Sequence, residues 1–263
     1  METESRNSQM YLFCSSRSQS AFATSGGFLH IFGGYSRNIS QKWALSTMQS
    51  AGLHFVREER EMHLDSESDT NRFSTAVTLN NGAVILTGGK NRLREVFHLS
   101  NLWGKQNWKS KRLADMERGR YGHASAVFLL EGAENVIVAG GCDGKGEVQD
   151  SVEMYSIKND IWTMLHNLRT PRIYFALQVE NVYKRKRKYN KSLQVKGNLV
   201  CAFGGYNTGV KREKEFPGDA CATWTVQGWT DWEEKEADGE KRSSFMSALV
   251  PMSWIEEQCT TVN

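Results

Sequence analysis

Proline is scarce in this chain, only 3 in 263 residues, which excludes a proline-rich linker or polyproline ligand. No apolar run approaches the roughly 18 residues that a membrane-spanning helix needs. The polar start METESRNSQMYLFCSSRSQS lacks the continuous apolar stretch of a secretory leader. Charge of one sign is missing as well. Lys and Arg number 33 against 30 Asp and Glu, a net +3, so no basic face dominates and nucleic acid is a poor candidate partner. The five cysteines, Cys14, Cys142, Cys201, Cys221 and Cys259, are odd in number and have no C-x-x-C spacing. They predict free thiols in a reducing compartment, and a cytoplasmic protein is the default expectation. Nuclear and secreted alternatives stay open, the second because Asn38-Ile-Ser and Asn190-Lys-Ser are glycosylation acceptors in form.

Catalytic signatures are equally sparse. His30, His54, His63, His98, His123 and His166 show no H-E-x-x-H or paired metal spacing, and no G-x-S-x-G elbow occurs. The carboxylate-rich stretches Glu58 to Asp69 and Asp231 to Glu240 read as solvated outer strand and loop, not as an acid and base pair. The expectation is a protein with no catalytic residues, no metal and no cofactor.

What the chain has is glycine in register. An apolar run ending in a glycine doublet recurs four times, as FLHIFGG to Gly34, AVILTGG to Gly89, NVIVAGG to Gly141 and NLVCAFGG to Gly205. The second glycines lie 55, 52 and 64 residues apart, near the roughly 50-residue period of a repeated four-stranded unit. Arg17, Arg72, Arg120 and Arg172 open the units, and Trp108, Trp162 and Trp232 close the later ones. Short β-branched runs that end in glycine suit buried strands, and a glycine at the strand exit permits positive φ and close backbone approach. Tyr155, Trp108, Trp162 and Trp232 are expected to fill the wedges between neighbouring sheets.

The third unit is RYGHASAVFLLEGAENVIVAGGCDGKGEVQDSVEMYSIKNDIWTMLHNLRTPR, from Arg120 to Arg172. It resembles the kelch repeat in its Arg-x-Gly-His opening, its double glycine, its Val-Glu-x-Tyr strand with Tyr155 seven residues before Trp162, and the Pro-Arg that follows. The resemblance runs over roughly the whole chain after Arg17 and is weakest in unit one. It implies an all-β fold, a kelch-type β-propeller of four recognisable blades plus an incomplete fifth, over residues 17–263. Units start near residues 17, 72, 120, 172 and 242. Residues 1–16 form an N-terminal segment that could serve as a closing outer strand, with ring closure left open. In the kelch opening, His123 is expected as an interior polar contact.

The same resemblance implies a non-catalytic protein–protein interaction module, a scaffold or substrate adaptor, with cytoskeletal and ubiquitin-ligase subunits among its contexts. The loops after the doublets and those entering the inner strands share one face in such a fold. That face gathers Tyr35, Arg37, Lys90, Arg92, Asp143, Lys145, Tyr206 and Asn207, with Arg72, Arg120, Tyr121, Arg172 and Tyr174 nearer the channel. Cationic and aromatic residues outnumber acids in this set, which favours a protein or acidic peptide as partner. Unit four is 16 residues longer than unit one between arginine and doublet, read as a loop with a basic run, Lys184, Arg185, Lys186, Arg187 and Lys188, suited to solvent, a nuclear address or an anionic surface. Two other readings remain, a secreted recognition module and a degenerate kelch-type carbohydrate-active enzyme. The Tyr, His and Cys set of kelch-bearing copper oxidases has no residue-by-residue match here.

Overall fold

The computed structural model of the chain describes residues 17–25, 28–36, 44–51, 54–61, 72–101, 108–185, 193–208, 214–215, 220–225, 228–230 and 232–234. Every regular element among these residues is a strand. Blade one comprises β1 (Arg17–Ser18), β2 (Ala21–Ser25), β3 (Phe28–Phe32), β4 (Tyr35–Ser36), β5 (Ala44–Ala51) and β6 (His54–Glu61). Its sheet is β2-β3-β5-β6, and β1 and β4 pair as a short ribbon at its end. Blade two is β7 (Thr75–Thr78), β8 (Val84–Thr87), β9 (Val96–Asn101) and β10 (Trp108–Arg112). Blade three is β11 (Ala124–Leu130), β12 (Ala133–Ala139), β13 (Val152–Ser156) and β14 (Ile161–Met164). Blade four holds β15 (Ala176–Arg185), β16 (Leu193–Phe203), β17 (Asn207–Thr208), β18 (Lys214–Glu215), β19 (Ala220–Thr225), β20 (Gly228–Trp229) and β21 (Glu233–Glu234). There β15-β16-β19 continue into β20 and β21, and β17 pairs with β18. All pairings are antiparallel, and the first strands β2, β7, β11 and β15 are neighbours in turn, as the inner strands of propeller blades are.

Strand periodicity explains why the runs before the doublets are apolar without alternation. Ile137 and Ala139 face blade four, in a core with Phe175, Leu177, Val200 and Ala202. Their neighbours Val136 and Val138 face blade two, packed with Ile85, Val96 and Met116. Val84 and Leu86 meet Ala21, Ala23 and Phe32 of blade one. A second strand buried on both sides needs apolar residues at every position.

The doublets have an equally direct cause. Gly140 has φ +60°, and a Cβ there would lie 2.5 Å from the Arg172 carbonyl of the next blade; Gly141 then donates its N–H to that same carbonyl at 2.9 Å. Gly88 and Gly89 repeat the arrangement on the Arg120 carbonyl. These two doublets thus dock backbone on backbone between consecutive blades, where no side chain fits.

Outer-strand aromatics complete the interfaces. Trp162 and Tyr155 are buried between blades two and three, their rings 5.0 Å apart, and Trp232 is buried between blades three and four. The indole of Trp162 donates to the Ala114 carbonyl at 2.9 Å, and that of Trp232 to His166 at 3.1 Å. Each tryptophan therefore anchors the link that leaves the preceding blade. Burying such a ring contributes about 2–3 kcal/mol.

Three expectations need correction. Arg72 is out of register with Arg120 and Arg172: Lys90 N–H bonds to the Arg72 carbonyl as Cys142 N–H does to Tyr121, so Arg72 stands at the Tyr121 position. The added length of unit four goes largely into strands, with β15 and β16 paired out to Arg185 and Leu193 across an irregularity at Val182 and Tyr183. Lys184 and Arg185 end β15, whereas Lys186, Arg187 and Lys188 lie outside the described residues. Free thiols throughout were expected, yet Cys201 and Cys221 form a disulfide, because β16 and β19 place them directly opposite. Cys142 is free and buried. The segment 1–16 and the unit opening at Arg242 lie outside the described residues.

Candidate functional site

One position of each described unit converges where the inner strands begin. Gln19 carbonyl accepts from Phe73 N–H at 2.9 Å, Phe73 carbonyl from Gly122 N–H at 2.8 Å, and Gly122 carbonyl from Tyr174 N–H at 2.8 Å. These residues form a belt of main-chain bonds from blade to blade. All four have left-handed backbone, with φ of 66°, 61°, 62° and 55°. Only one of them is glycine, and the strain of the others, about 1 kcal/mol or more each, is held by the belt.

Two side chains of this belt, Phe73 and Tyr174, form an aromatic rim with the neighbouring Tyr121 and Tyr206. Phe73 and Tyr174 pack with centroids 5.1 Å apart, over Gly122, where a Cβ would come within 2.7 Å of Tyr174 Cε1. Phe73 also meets Tyr121 at 5.8 Å, and Tyr174 meets Tyr206 at 5.9 Å. All four rings are half-exposed. Lys90, exposed, holds its ammonium 6.0 Å from the Tyr121 centroid.

The phenols of Tyr121 and Tyr174 are held protonated. Burial and hydrogen bonding to Cys142 raise the Tyr121 pKa, and burial followed by the neighbouring Tyr206 pushes Tyr174 up to about 12. Burial likewise raises the Cys142 thiol, which sits beside Tyr121 and pairs backbone with it. Asp143, with its carboxylate accepting from the N–H groups of Lys145 at 2.8 Å and Glu147 at 2.9 Å, is a loop-forming acid whose pKa those bonds lower. Rings, hydroxyl donors and a cation suit adsorption of a ligand.

Several residues expected on the face are elsewhere. Arg120 and Arg172 are fully buried. Arg120 pairs with Glu153 and donates to the Gly140 carbonyl at 2.7 Å and Ser151 carbonyl at 3.0 Å, while Arg172 reaches the Gly204 carbonyl at 3.3 Å. Both brace the glycine turns of their own blades. Arg92 is buried too, ion-paired with Glu95 and lying over the Phe97 ring at 5.6 Å. Arg72 is half-buried at the rim, Lys145 is exposed on the Asp143 loop, and Asn207 opens β17 half-buried. Tyr35 pairs backbone with Ser18, and Arg37 lies outside the described residues.

Phe73 is a rim member that sequence reasoning missed, and Cys142 is buried beneath the rim beside Tyr121. The signal was present, because each belt residue stands two positions before the Ala or Thr that opens its inner strand.

His123 is the interior polar contact expected of it. Its Nε2 meets Thr75 Oγ1 at 3.0 Å and Thr87 Oγ1 at 2.8 Å, and desolvation, aided by Arg120, holds its pKa well below the usual value. The folded state thus binds this proton less readily than the unfolded one. Its stabilisation is complete above about pH 6.5 and is lost as pH falls, at up to ~1.4 kcal/mol per pH unit. Urea midpoints of wild type and His123→Gln between pH 7.5 and 5 should converge; parallel curves would contradict a neutral buried imidazole. Among the described residues no His, Cys, Asp and Glu cluster could hold a metal, and no helix is long and apolar enough to cross a membrane.

Comparison with known proteins gives a consistent picture. The Kelch motif family matches residues 132–169, which span β12, β13 and β14 of blade three. An F-box/kelch-repeat protein of Arabidopsis thaliana is 27% identical over 118 residues, 44% of this chain and 26% of that protein. The chain thus matches about a quarter of that relative's length. The solved structure of YjhT superposes with a TM-score of 0.56 at 14% identity, covering 87% of this chain and 73% of YjhT. At that identity the likeness is one of fold.

Proposed function

We propose, from the premise that this chain is a kelch-repeat β-propeller protein, that it is a non-catalytic recognition module whose aromatic rim binds an acidic segment of a partner protein. The observation that carries this reading is the continuous row Tyr121, Phe73, Tyr174 and Tyr206, half-exposed, with Phe73 and Tyr174 fixed by the belt and Tyr121 and Tyr206 by backbone pairing with Cys142 and Ile173. Such rings supply large contact area with little loss of side-chain freedom on binding. Lys90 supplies positive charge beside them, while the Asp143 carboxylate is turned to its own loop. Charge complementarity then selects an acidic segment. Likeness to an F-box/kelch-repeat protein supports substrate adaptation for a ubiquitin ligase as the setting.

The test is affinity capture with mass spectrometry, followed by direct titration of the captured acidic peptide. Tyr206→Ala should weaken binding at least ~30-fold, as loss of an anchoring ring does. Lys90→Glu should weaken it about tenfold at low salt, chiefly by slowing association. Unchanged capture by both variants, with wild-type unfolding curves, would overturn the assignment. Arg172 is unsuited to this test because its side chain is internal.

A secreted recognition module is the second reading, favoured by the Cys201–Cys221 bond, since stable disulfides belong to oxidising compartments. Glycans on Asn38 or Asn190 in protein from the native source would support it.

A further inference from the structure

We propose that Cys201 and Cys221 are a reversible redox crosslink that sets the rigidity of blade four. The two cysteines face one another in the β16–β19 ladder, which runs without a break from Gly197 opposite Thr225 to Ala202 opposite Ala220. Their Cα atoms are 4.1 Å apart, the close spacing of directly opposed antiparallel residues. The ladder therefore holds both sulfurs within bonding reach whether or not the bond exists. Opening and closing it requires no rearrangement of the backbone.

Access is asymmetric. Cys201 is 8% exposed and Cys221 is half-exposed, so an incoming thiolate attacks Cys221 Sγ. The S–S bond breaks, Cys201 leaves as a thiolate and takes up a proton. A second small thiol then attacks the mixed disulfide, releasing the Cys221 thiol and a small-molecule disulfide, so two electrons pass from two thiols to the pair. Oxidised glutathione drives the reverse exchange.

The crosslink lies beside an outer edge built differently from those of the other blades. The outer strand has eight residues in blade one, five in blade two and four in blade three. In blade four, among the described residues, β19 is covered instead by two two-residue strands, β20 and β21, with the Thr230 N–H donating to the Thr223 carbonyl between them at 2.9 Å. The disulfide adds a covalent tie between β16 and β19 across a sequence separation of 20 residues. From Cys201, β16 leads through Gly204 and Gly205 into Tyr206 of the rim, so the clamp sits at the root of the recognition surface.

The whole chain, treated with oxidised or excess reduced glutathione, would be alkylated and analysed by mass spectrometry and hydrogen exchange. Oxidised protein should leave Cys201 and Cys221 unlabelled, and excess reduced glutathione should expose both. Reduction should lower Tm by roughly 5–10 °C, from the loop-closure contribution for a chain of this size. Amide protection should fall in 193–203 and 220–225 and persist in 133–139 and 152–156. Cys221→Ser should match the reduced protein and ignore reductant. Labelling of both cysteines in oxidised, folded protein would overturn the proposal. So would a bond that withstands excess reduced glutathione, or reduction that changes neither Tm nor protection.

Discussion

Alanine at Gly140 is expected to destabilise the protein by about 3 kcal/mol or more, enough to leave much of a marginally stable domain unfolded. The added Cβ would lie 2.5 Å from the Arg172 carbonyl and 2.8 Å from Phe175 Cε1, at φ +60°. Backbone is the closer obstacle, so no rotamer change relieves the contact; the next blade must move away. That movement also pulls on the Gly141 N–H bond to the same carbonyl. Gly132 provides the control. It has φ +80° with nothing within 4 Å of a Cβ, so Gly132→Ala incurs only the left-handed penalty, about 1 kcal/mol. Paired denaturant titrations measure the difference, which isolates blade docking from conformational cost. Equal losses at the two positions would mean that the doublet serves as a turn alone.

Features that leave a mark in composition were the ones legible beforehand. The doublets are visible because only glycine tolerates carbonyl contact at positive φ, and the second strands because burial on both faces forces an unbroken apolar run. Trp162 and Trp232 were assigned to blade wedges correctly, since large rings have few other places to go. What depended on register was not legible. Arg72 looked like another Arg120 because an arginine stands near the expected point, yet it is displaced by one residue, which brings Phe73 into the belt. The left-handed belt escaped notice because Gln19, Phe73 and Tyr174 are not residues that announce positive φ. The Cys201–Cys221 pairing needed the alignment of β16 with β19 across the intervening rim ribbon. Arg120, Arg172 and Arg92 were misplaced on the binding face for a related reason: charge suggests exposure until the buried partners are known.

Glu153 is the second site of large expected effect. It is fully buried on β13, and its carboxylate receives the Arg120 guanidinium together with the N–H groups of Glu117 at 2.7 Å and Arg118 at 3.0 Å. One side chain thus seals the arginine beneath the Gly140 turn and docks the link from blade two. Burial lowers the Arg120 pKa while Glu153 opposes the shift, and an arginine remains charged regardless. Glu153→Ala would leave that charge unpaired in the interior, at a cost of about 3–5 kcal/mol. The doublet-relative position in blade two is Phe97, so the architecture accepts an apolar residue there. Arg120→Met with Glu153→Leu should accordingly recover part of the loss, because the charge departs with its partner. Recovery stays incomplete because the Gly140 carbonyl and the Ser151 oxygens lose the Arg120 donors, the Ser151 carbonyl keeping only the Gly140 N–H. Urea unfolding of both singles and the double should give a coupling of about 2 kcal/mol or more; additive losses would show that the pair contributes nothing beyond its separate contacts.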